Sequence, residues 1–290
     1  YIHRRNSRVG NVMSNFTDFI GGGGSASFPT IFLSKSQTWV PPQDGNIMIH
    51  VIGAGGSGST SAGNNATAGA AGGYCKKNTL AVTTSGSFTI VVGAGGSRVS
   101  GDTSGNAGGN STVAGTGLSS TLTANGGAGG VTNSYADVAG GSASGGDVNN
   151  TGGKAYYVDN GYSGGGAVGL AGTGNSGFSS GRDYRGGDCD IVGDLWSSTL
   201  GQIAGGRGGT GFYTNRDGNH AKVPTLRNSD GGPFAGGGSI MADFSYQVSP
   251  VVGGNGGIGA GGGMARYAST SSFATSGRGG EGIVIIQYIP

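Results

Sequence analysis

Ile52-Gly53-Ala54-Gly55-Gly56-Ser57 and Val92-Gly93-Ala94-Gly95-Gly96-Ser97 are one phrase written twice. In each, a β-branched run, Asn46-Ile47-Met48-Ile49-His50-Val51-Ile52 or Ser87-Phe88-Thr89-Ile90-Val91-Val92, ends in a pulse of glycine. Short, alternating and glycine-bounded, both runs read as strands. Further pulses, Gly126-Gly127-Ala128-Gly129-Gly130 and Gly253-Gly254-Asn255-Gly256-Gly257, bring glycine to 70 of 290 residues. Glycine loses more backbone freedom on folding than any other residue, so so much of it calls for a structure that requires the absence of Cβ.

Extended threefold chains supply that requirement. They make no internal hydrogen bonds, so each N–H and C=O must find a neighbouring chain or water. Only residues without Cβ let several such chains lie close enough to bond all round. The pulses therefore predict a bundle of polyglycine-II-type helices, with glycine at chain contacts and Ala, Ser, Asn or Thr where a face meets solvent. A flexible Gly/Ser linker is the competing reading of the composition. It leaves unexplained why Trp39, Ile47, Ile49, Val51, Phe88, Ile90, Ile283 and Ile285 stand in strand-like alternation.

Composition narrows the function classes. Charged residues make up 10% and apolar residues 34%, and there are seven prolines. Collagen is excluded, since glycine does not recur at every third position. A net charge of +2 gives no electrostatic case for nucleic acid or a membrane surface. Residues 47–52 and 283–286 are the longest apolar runs and are too short to span a bilayer as a helix. His3-Arg4-Arg5-Asn6-Ser7-Arg8 has the charge of a signal-peptide start, but no apolar segment follows, which argues against secretion by that route. Because the chain opens on tyrosine, we expect a processed product or a piece of something longer. Two cysteines, Cys75 and Cys189, are too few for a disulfide scaffold and are expected as free thiols.

Strands are also expected at Thr38-Trp39-Val40 and at Gly282-Ile283-Val284-Ile285-Ile286-Gln287-Tyr288. Helical periodicity is absent and Glu281 is the only glutamate, so almost no α-helix is expected. From Val131 onward the pulses are separated by longer inserts, at 154–159, 182–200, 212–230, 240–252 and 264–276. Tyr156, Tyr157, Tyr162, Tyr184, Trp196, Phe212, Tyr213, Tyr246 and Tyr267 sit in these or beside them among Asn, Asp, Ser and Arg. That mixture suits a recognition surface, since aromatics give rigid contact area and short polar groups adapt. Some of these rings are equally expected to pack over the ends of the glycine body.

Trp39-Val40-Pro41 ahead of a strand, the doubled strand-Gly-Ala-Gly-Gly phrase, and the closing Arg278-Gly279-Gly280-Glu281-Gly282-Ile283-Val284-Ile285-Ile286 together resemble the glycine-rich domain at the tips of bacteriophage tail fibres. The likeness covers residues 28–290 and is to the receptor-recognising adhesins at the distal end of T-even-type long fibres. It implies a polyglycine-II sandwich that presents variable loops to the host. Residues 1–27 are shorter than the attachment domain of those adhesins.

Motifs for chemistry are weak. Gly53-Ala54-Gly55-Gly56-Ser57-Gly58 satisfies the dinucleotide-binding letters, but no helix signal follows and no acidic residue stands about twenty positions on. Gly177-Phe178-Ser179-Ser180-Gly181 matches a nucleophile elbow without the flanking strand and helix. His3, His50 and His220 are the only histidines; His50 alternates within a strand and is expected to face solvent or cap the sheet. Asp188, Asp190 and Asp194 faintly echo a calcium loop without its repeat. The Arg-Gly-Gly triplets at Arg185, Arg207 and Arg278 are too isolated for RNA binding. Arg182, Arg185, Arg216 and Arg227 could meet anionic lipopolysaccharide or pair with aspartates.

The expected protein is mostly non-helical: a polyglycine-II-type bundle with a small β element built from the strands ending at Ile52, Val92 and Ile286, and long surface loops. Residues 1–27 form an attachment segment; 28–290 form the receptor-binding domain, with inserts mainly in 131–276. The expected function is that of a non-enzymatic adhesin without cofactor or metal. It would sit at the distal tip of a virion tail fibre, after synthesis in the bacterial cytoplasm. Its partners would be a bacterial outer-membrane protein or lipopolysaccharide and other proteins of a trimeric fibre, with no nucleic acid and no membrane insertion. A structural fibre or decoration protein is the alternative. A glycan depolymerase would need paired carboxylates.

Overall fold

The computed structural model describes residues 29–62, 65–158, 161–162, 164–177, 186–189, 208, 212–214, 226–227, 230–242, 251–267 and 274–290. Among them there is no helix; strands alternate with extended chain. Among the described residues no helix is long and apolar enough to cross a membrane. The expected attachment segment, residues 1–27, lies outside the described residues.

Numbered in chain order, β1 (Thr30–Leu33), β3 (Gly45–Ile52), β5 (Tyr74–Val82), β10 (Val148–Asn150) and β19 (Ile283–Ile289) form one antiparallel sheet in the order β1-β19-β3-β5-β10. A second antiparallel sheet runs β2 (Gln37–Trp39), β6 (Phe88–Val91), β7 (Ser111–Gly115), β8 (Leu122–Ala124), β9 (Ala143–Ser144). The two stack because each strand turns alternate apolar residues inward. Ile47, Ile49 and Val51 of β3 and Val284, Ile286 and Tyr288 of β19 pack against Phe88, Ile90, Val113 and Leu122 of the other sheet. The Trp39 and Phe88 rings close the edge, with centroids 5.5 Å apart.

The β element is therefore larger than the sequence predicted, and its strands divide differently. Those ending at Ile52 and Ile289 pair with each other, whereas the one ending at Val91 lies in the opposite sheet. β5 was hidden from periodicity by a bulge. Opposite the step from Ile47 to Ile49, its partners move from Leu80 to Lys77, an extra residue that switches the face of every side chain beyond it.

The outer face of the first sheet carries Ile52, Tyr74, Ile283 and Ile285, covered by Val168, Leu170, Cys189 and Phe234. His50, expected to face solvent or cap the sheet, lies on this face and is buried, which rules out the solvent-facing alternative. Its Nδ1 is 2.8 Å from the Tyr74 hydroxyl and its Nε2 3.1 Å from Gln287 Oε1. Both contacts are satisfied when Nε2–H donates to Gln287 and Nδ1 accepts from Tyr74. Burial holds its pKa down at about 4, with the Lys76 cation adding to the effect and the Gln287 bond opposing it. Both cysteines are free and buried, and burial pushes the Cys75 thiol up to about 11.

Beyond the sandwich, residues 53–60 show what the glycine pulses do. The N–H groups of Gly53, Gly56 and Ser59 donate to the carbonyls of Gly73, Ala70 and Thr67. Those of Ala54, Ser57 and Thr60 donate to Gly109, Asn106 and Thr103, and those of Gly55 and Gly58 to Gly280 and Gly277. Every donor is used, and each third residue returns to the same neighbour three residues further along it. The 67–73 chain repeats the pattern: Thr67, Ala70 and Gly73 donate to Val131, Ala128 and Asn125, while Gly69 and Gly72 donate to Gly262 and Gly259. A strand in a sheet has two bonded neighbours; these chains have at least three.

Close approach explains the glycines. A Cβ built on Gly55 would collide with the Ala260 carbonyl, on Gly56 with that of Ala128, and on Gly261 with that of Gly69. In each case the obstacle is backbone, which cannot swing aside. The small non-glycine residues depart from expectation: Ala54, Ser57, Ser59, Ala68, Ala70 and Ala71 are fully buried and do not face solvent. Buried hydroxyls are tolerated because they bond into the lattice. Ser59 Oγ donates to the Thr67 carbonyl at 2.9 Å and Ser57 Oγ accepts from Asn106 N–H at 2.8 Å.

Candidate functional site

Where residues 53–60 end, the bundle passes into short parallel sheets. β4 (Thr60–Ala62), β13 (Phe212–Thr214), β15 (Ile240–Ala242) and β17 (Ala265–Tyr267) lie in the order β13-β15-β17-β4, all parallel. Their register sets Thr214, Ala242, Tyr267 and Ala62 in one terminal row. A second parallel sheet, β14 (Leu226–Arg227), β16 (Val251–Val252) and β18 (Ala274–Thr275), begins on the row Leu226, Val251, Ala274. Three connectors, 215–225, 243–250 and 268–273, each join a strand of the first sheet to one of the second. Their stems are thus gathered into two aligned rows, as parallel strands with successive connections require.

Hydrogen bonds tie these stems to the lattice. Ala265 N–H donates to the Ser59 carbonyl at 3.1 Å, Met264 N–H to Ser239 Oγ at 3.0 Å, and Gly253 N–H to the Thr275 carbonyl at 2.9 Å. Beside them, the 99–103 turn is held by an exchange between Val99 and Ser276: Ser276 N–H donates to the Val99 carbonyl at 2.9 Å and Val99 N–H to Ser276 Oγ at 3.0 Å.

A glycine-rich domain family matches residues 31–289. The chain belongs to it. No curated protein matches the chain.

Within this glycine-rich domain the expected recognition residues fall into two groups. Tyr157 and Tyr162 are directly opposed in a small antiparallel ladder, β11 (Tyr157–Val158) with β12 (Gly161–Tyr162), and Tyr156 beside them is exposed. Phe212 and Tyr213 in β13 and Tyr267 in β17 share the four-stranded parallel sheet. Tyr184, Trp196 and Tyr246 lie outside the described residues, as do Arg182, Arg185 and Arg216. The inserts were thus not loops throughout: parts of them supply strands.

Tyr135, not singled out in the sequence, is 71% exposed, and Thr132 before it donates Oγ1 to the Asp102 carboxylate at 3.1 Å. The signal available was its place in Thr132-Asn133-Ser134-Tyr135, directly after a glycine pulse and outside the longer inserts.

The N–H groups of residues 53–58 are all committed to lattice bonds, so the dinucleotide-like phrase has none left to cradle a phosphate. Asp188 Oδ1 accepts from Gly208 N–H at 2.7 Å, and among the described residues no three His, Cys, Asp or Glu side chains are grouped to hold a metal ion. Asp190 and Asp194 of the calcium-like run lie outside the described residues.

Proposed function

We propose that this glycine-rich domain is a polyglycine-II-type scaffold serving as a receptor-binding adhesin at the distal tip of a bacteriophage tail fibre. In this reading it binds an outer-membrane protein or lipopolysaccharide of the bacterial host, joins other proteins of the fibre, and carries no catalytic step. The observation that supports it is the gathering of three connector stems into two register-matched rows beside a lattice chain, residues 53–60, in which every backbone donor is used. Such a base fixes where each connector starts and ends, so less ordering entropy is lost on contact. Several copies on one particle would raise weak single contacts to firm attachment.

The test exchanges connectors. Residues 131–276 also supply lattice chains, so the graft is confined to 215–225, 243–250 and 268–273, moved onto a homologous tip of different host range. Adsorption is expected to follow the connectors. Adsorption that stays with the recipient's own host contradicts the reading.

A further inference from the structure

We propose that the edge formed by residues 46–58 is a peptide-binding site that takes residues 274–289 from a second copy of this chain as well as from its own. In this structure the site holds the chain's own segment. β19 pairs with β3 from Ile289 opposite Asn46 to Ile283 opposite Ile52. Three residues further, the Gly280 carbonyl accepts the Gly55 N–H at 2.9 Å, and three further again the Gly277 carbonyl accepts the Gly58 N–H at 3.1 Å. No residue is skipped, so sheet and lattice present one continuous antiparallel edge. This site does not depend on the adhesin reading.

The edge is held in place by chain that does not include its ligand. A threefold chain has three faces, and residues 53–60 commit two of them elsewhere. Gly53, Gly56 and Ser59 donate to 67–73, and Ala54, Ser57 and Thr60 to 103–109. Both of those runs bond to 125–131: Ala70 and Gly73 donate to Ala128 and Asn125, and Gly105 and Gly108 to Gly130 and Gly127. Gly127 and Gly130 donate back to Ala54 and Ser57. On its other side β3 is paired with β5. Residues 45–131 therefore bond to one another without 274–289, and Gly55, Gly58 and one side of β3 are the part they offer to it.

Both halves of the edge select the ligand. A Cβ on Gly277, Gly279 or Gly280 would collide with the carbonyl of Gly254, Gly55 or Gly257 respectively, so the lattice half requires glycine at these places. The strand half requires alternation: Val284, Ile286 and Tyr288 enter the core between the two sheets, and Ile283 and Ile285 the cluster on the outer face. Main-chain bonds give such an added strand its affinity and alternate side chains its specificity. The doubled phrase of this sequence runs strand before glycine, the reverse order, and does not fit. The same segment of another copy does fit, and two chains that trade it close each other with the contacts each already makes.

The test uses the full chain with Val284→Asp and Ile286→Asp together, which puts two carboxylates where its own segment would enter the core, and a synthetic peptide of residues 274–290. The peptide is expected to slow hydrogen exchange at the Gly55 and Gly58 amides about 100-fold, whether or not the variant is folded before it is added. A peptide carrying Gly279→Ala should bind about tenfold more weakly, and one of scrambled sequence should have no effect. The unaltered chain is then refolded at rising concentration and diluted for light scattering. A tethered segment has an effective concentration in the mM range, so dimer should form as the protein approaches ~1 mM and be absent at ~1 μM. The double variant should give none. Gly55 and Gly58 amides unmoved by the peptide, a scrambled peptide acting equally well, an unaltered chain that is monomeric at every concentration, or a dimer that the double variant forms as readily overturns the site.

Discussion

Gly261→Ala is expected to lower the stability of this domain by about 3 kcal/mol, at the upper end of what an added methyl group costs in a packed interior. Gly261 donates its N–H to Gly166, and its neighbours Gly262 and Gly263 donate to Gly56 and Gly254. The new Cβ would lie against the Gly69 carbonyl and the Ala70 carbonyl carbon. Relief requires the 67–73 chain to move, and that chain also holds 125–131 and 259–262 through its own bonds. One methyl therefore strains several hydrogen bonds at once, each worth about 0.5–1.5 kcal/mol net. Gly172 is the matched control: a Cβ there meets nothing within 4 Å. Gly172→Ala should be neutral or stabilising by up to about 1 kcal/mol, because the unfolded chain loses freedom. Urea unfolding of both variants reads the difference, and equal midpoints would deny that close backbone approach selects glycine.

Acid should weaken the fold through His50. Its pKa is about 4 in the fold, against an ordinary value of 6.5. Between those values the unfolded chain takes up a proton that the buried imidazole refuses. The contribution is complete above pH 6.5 and is lost as pH falls from there through about 4, amounting to about 3 kcal/mol. Lys76 faces His50 across the β3–β5 ladder and Ile285 faces it across β3–β19, so no carboxylate stands opposite it in register to welcome the proton. Asp147 acts in a different window. Its carboxyl is held below the usual range by the Lys77 and Asn78 bonds, so its contribution persists until pH falls below that of an ordinary carboxylate. His50→Gln should flatten the denaturation midpoint between pH 6.5 and 4 while leaving the lower-pH decline. An unchanged slope in that interval would contradict the assignment.

Much of the fold was legible where side chains alternate strongly. β3, β6 and β19 were each placed to within a residue or so because Ile47, Ile49, Val51, Phe88, Ile90, Ile283 and Ile285 carry large apolar groups at period two. β7 and β8 were not seen, since Thr112, Ala114 and Thr123 on the solvent side are too small to mark the alternation against Val113 and Leu122. The glycine pulses predicted close chain packing, and the carbonyls facing Gly55, Gly56 and Gly261 give the reason. That Ala54 and Ser57 would be buried could not be read, because it depends on which neighbour each third residue meets. The aromatic inserts were recognised by composition. Composition does not encode the parallel pairing that puts Phe212 and Tyr267 in one sheet, since it joins chains far apart in sequence. The exposure of Tyr135 was not legible, because one tyrosine after a pulse carries no pattern.

Amide hydrogen exchange across residues 53–60 tests the central claim most directly. All eight N–H groups, from Gly53 to Thr60, donate to chains that are themselves held by others. They should exchange slowly and together, glycines included, at rates that track global unfolding. Exchange at free-peptide rates at Gly55, Gly56 and Gly58, with protection confined to β3 and β19, would mean that the glycine chains are not knit into a lattice.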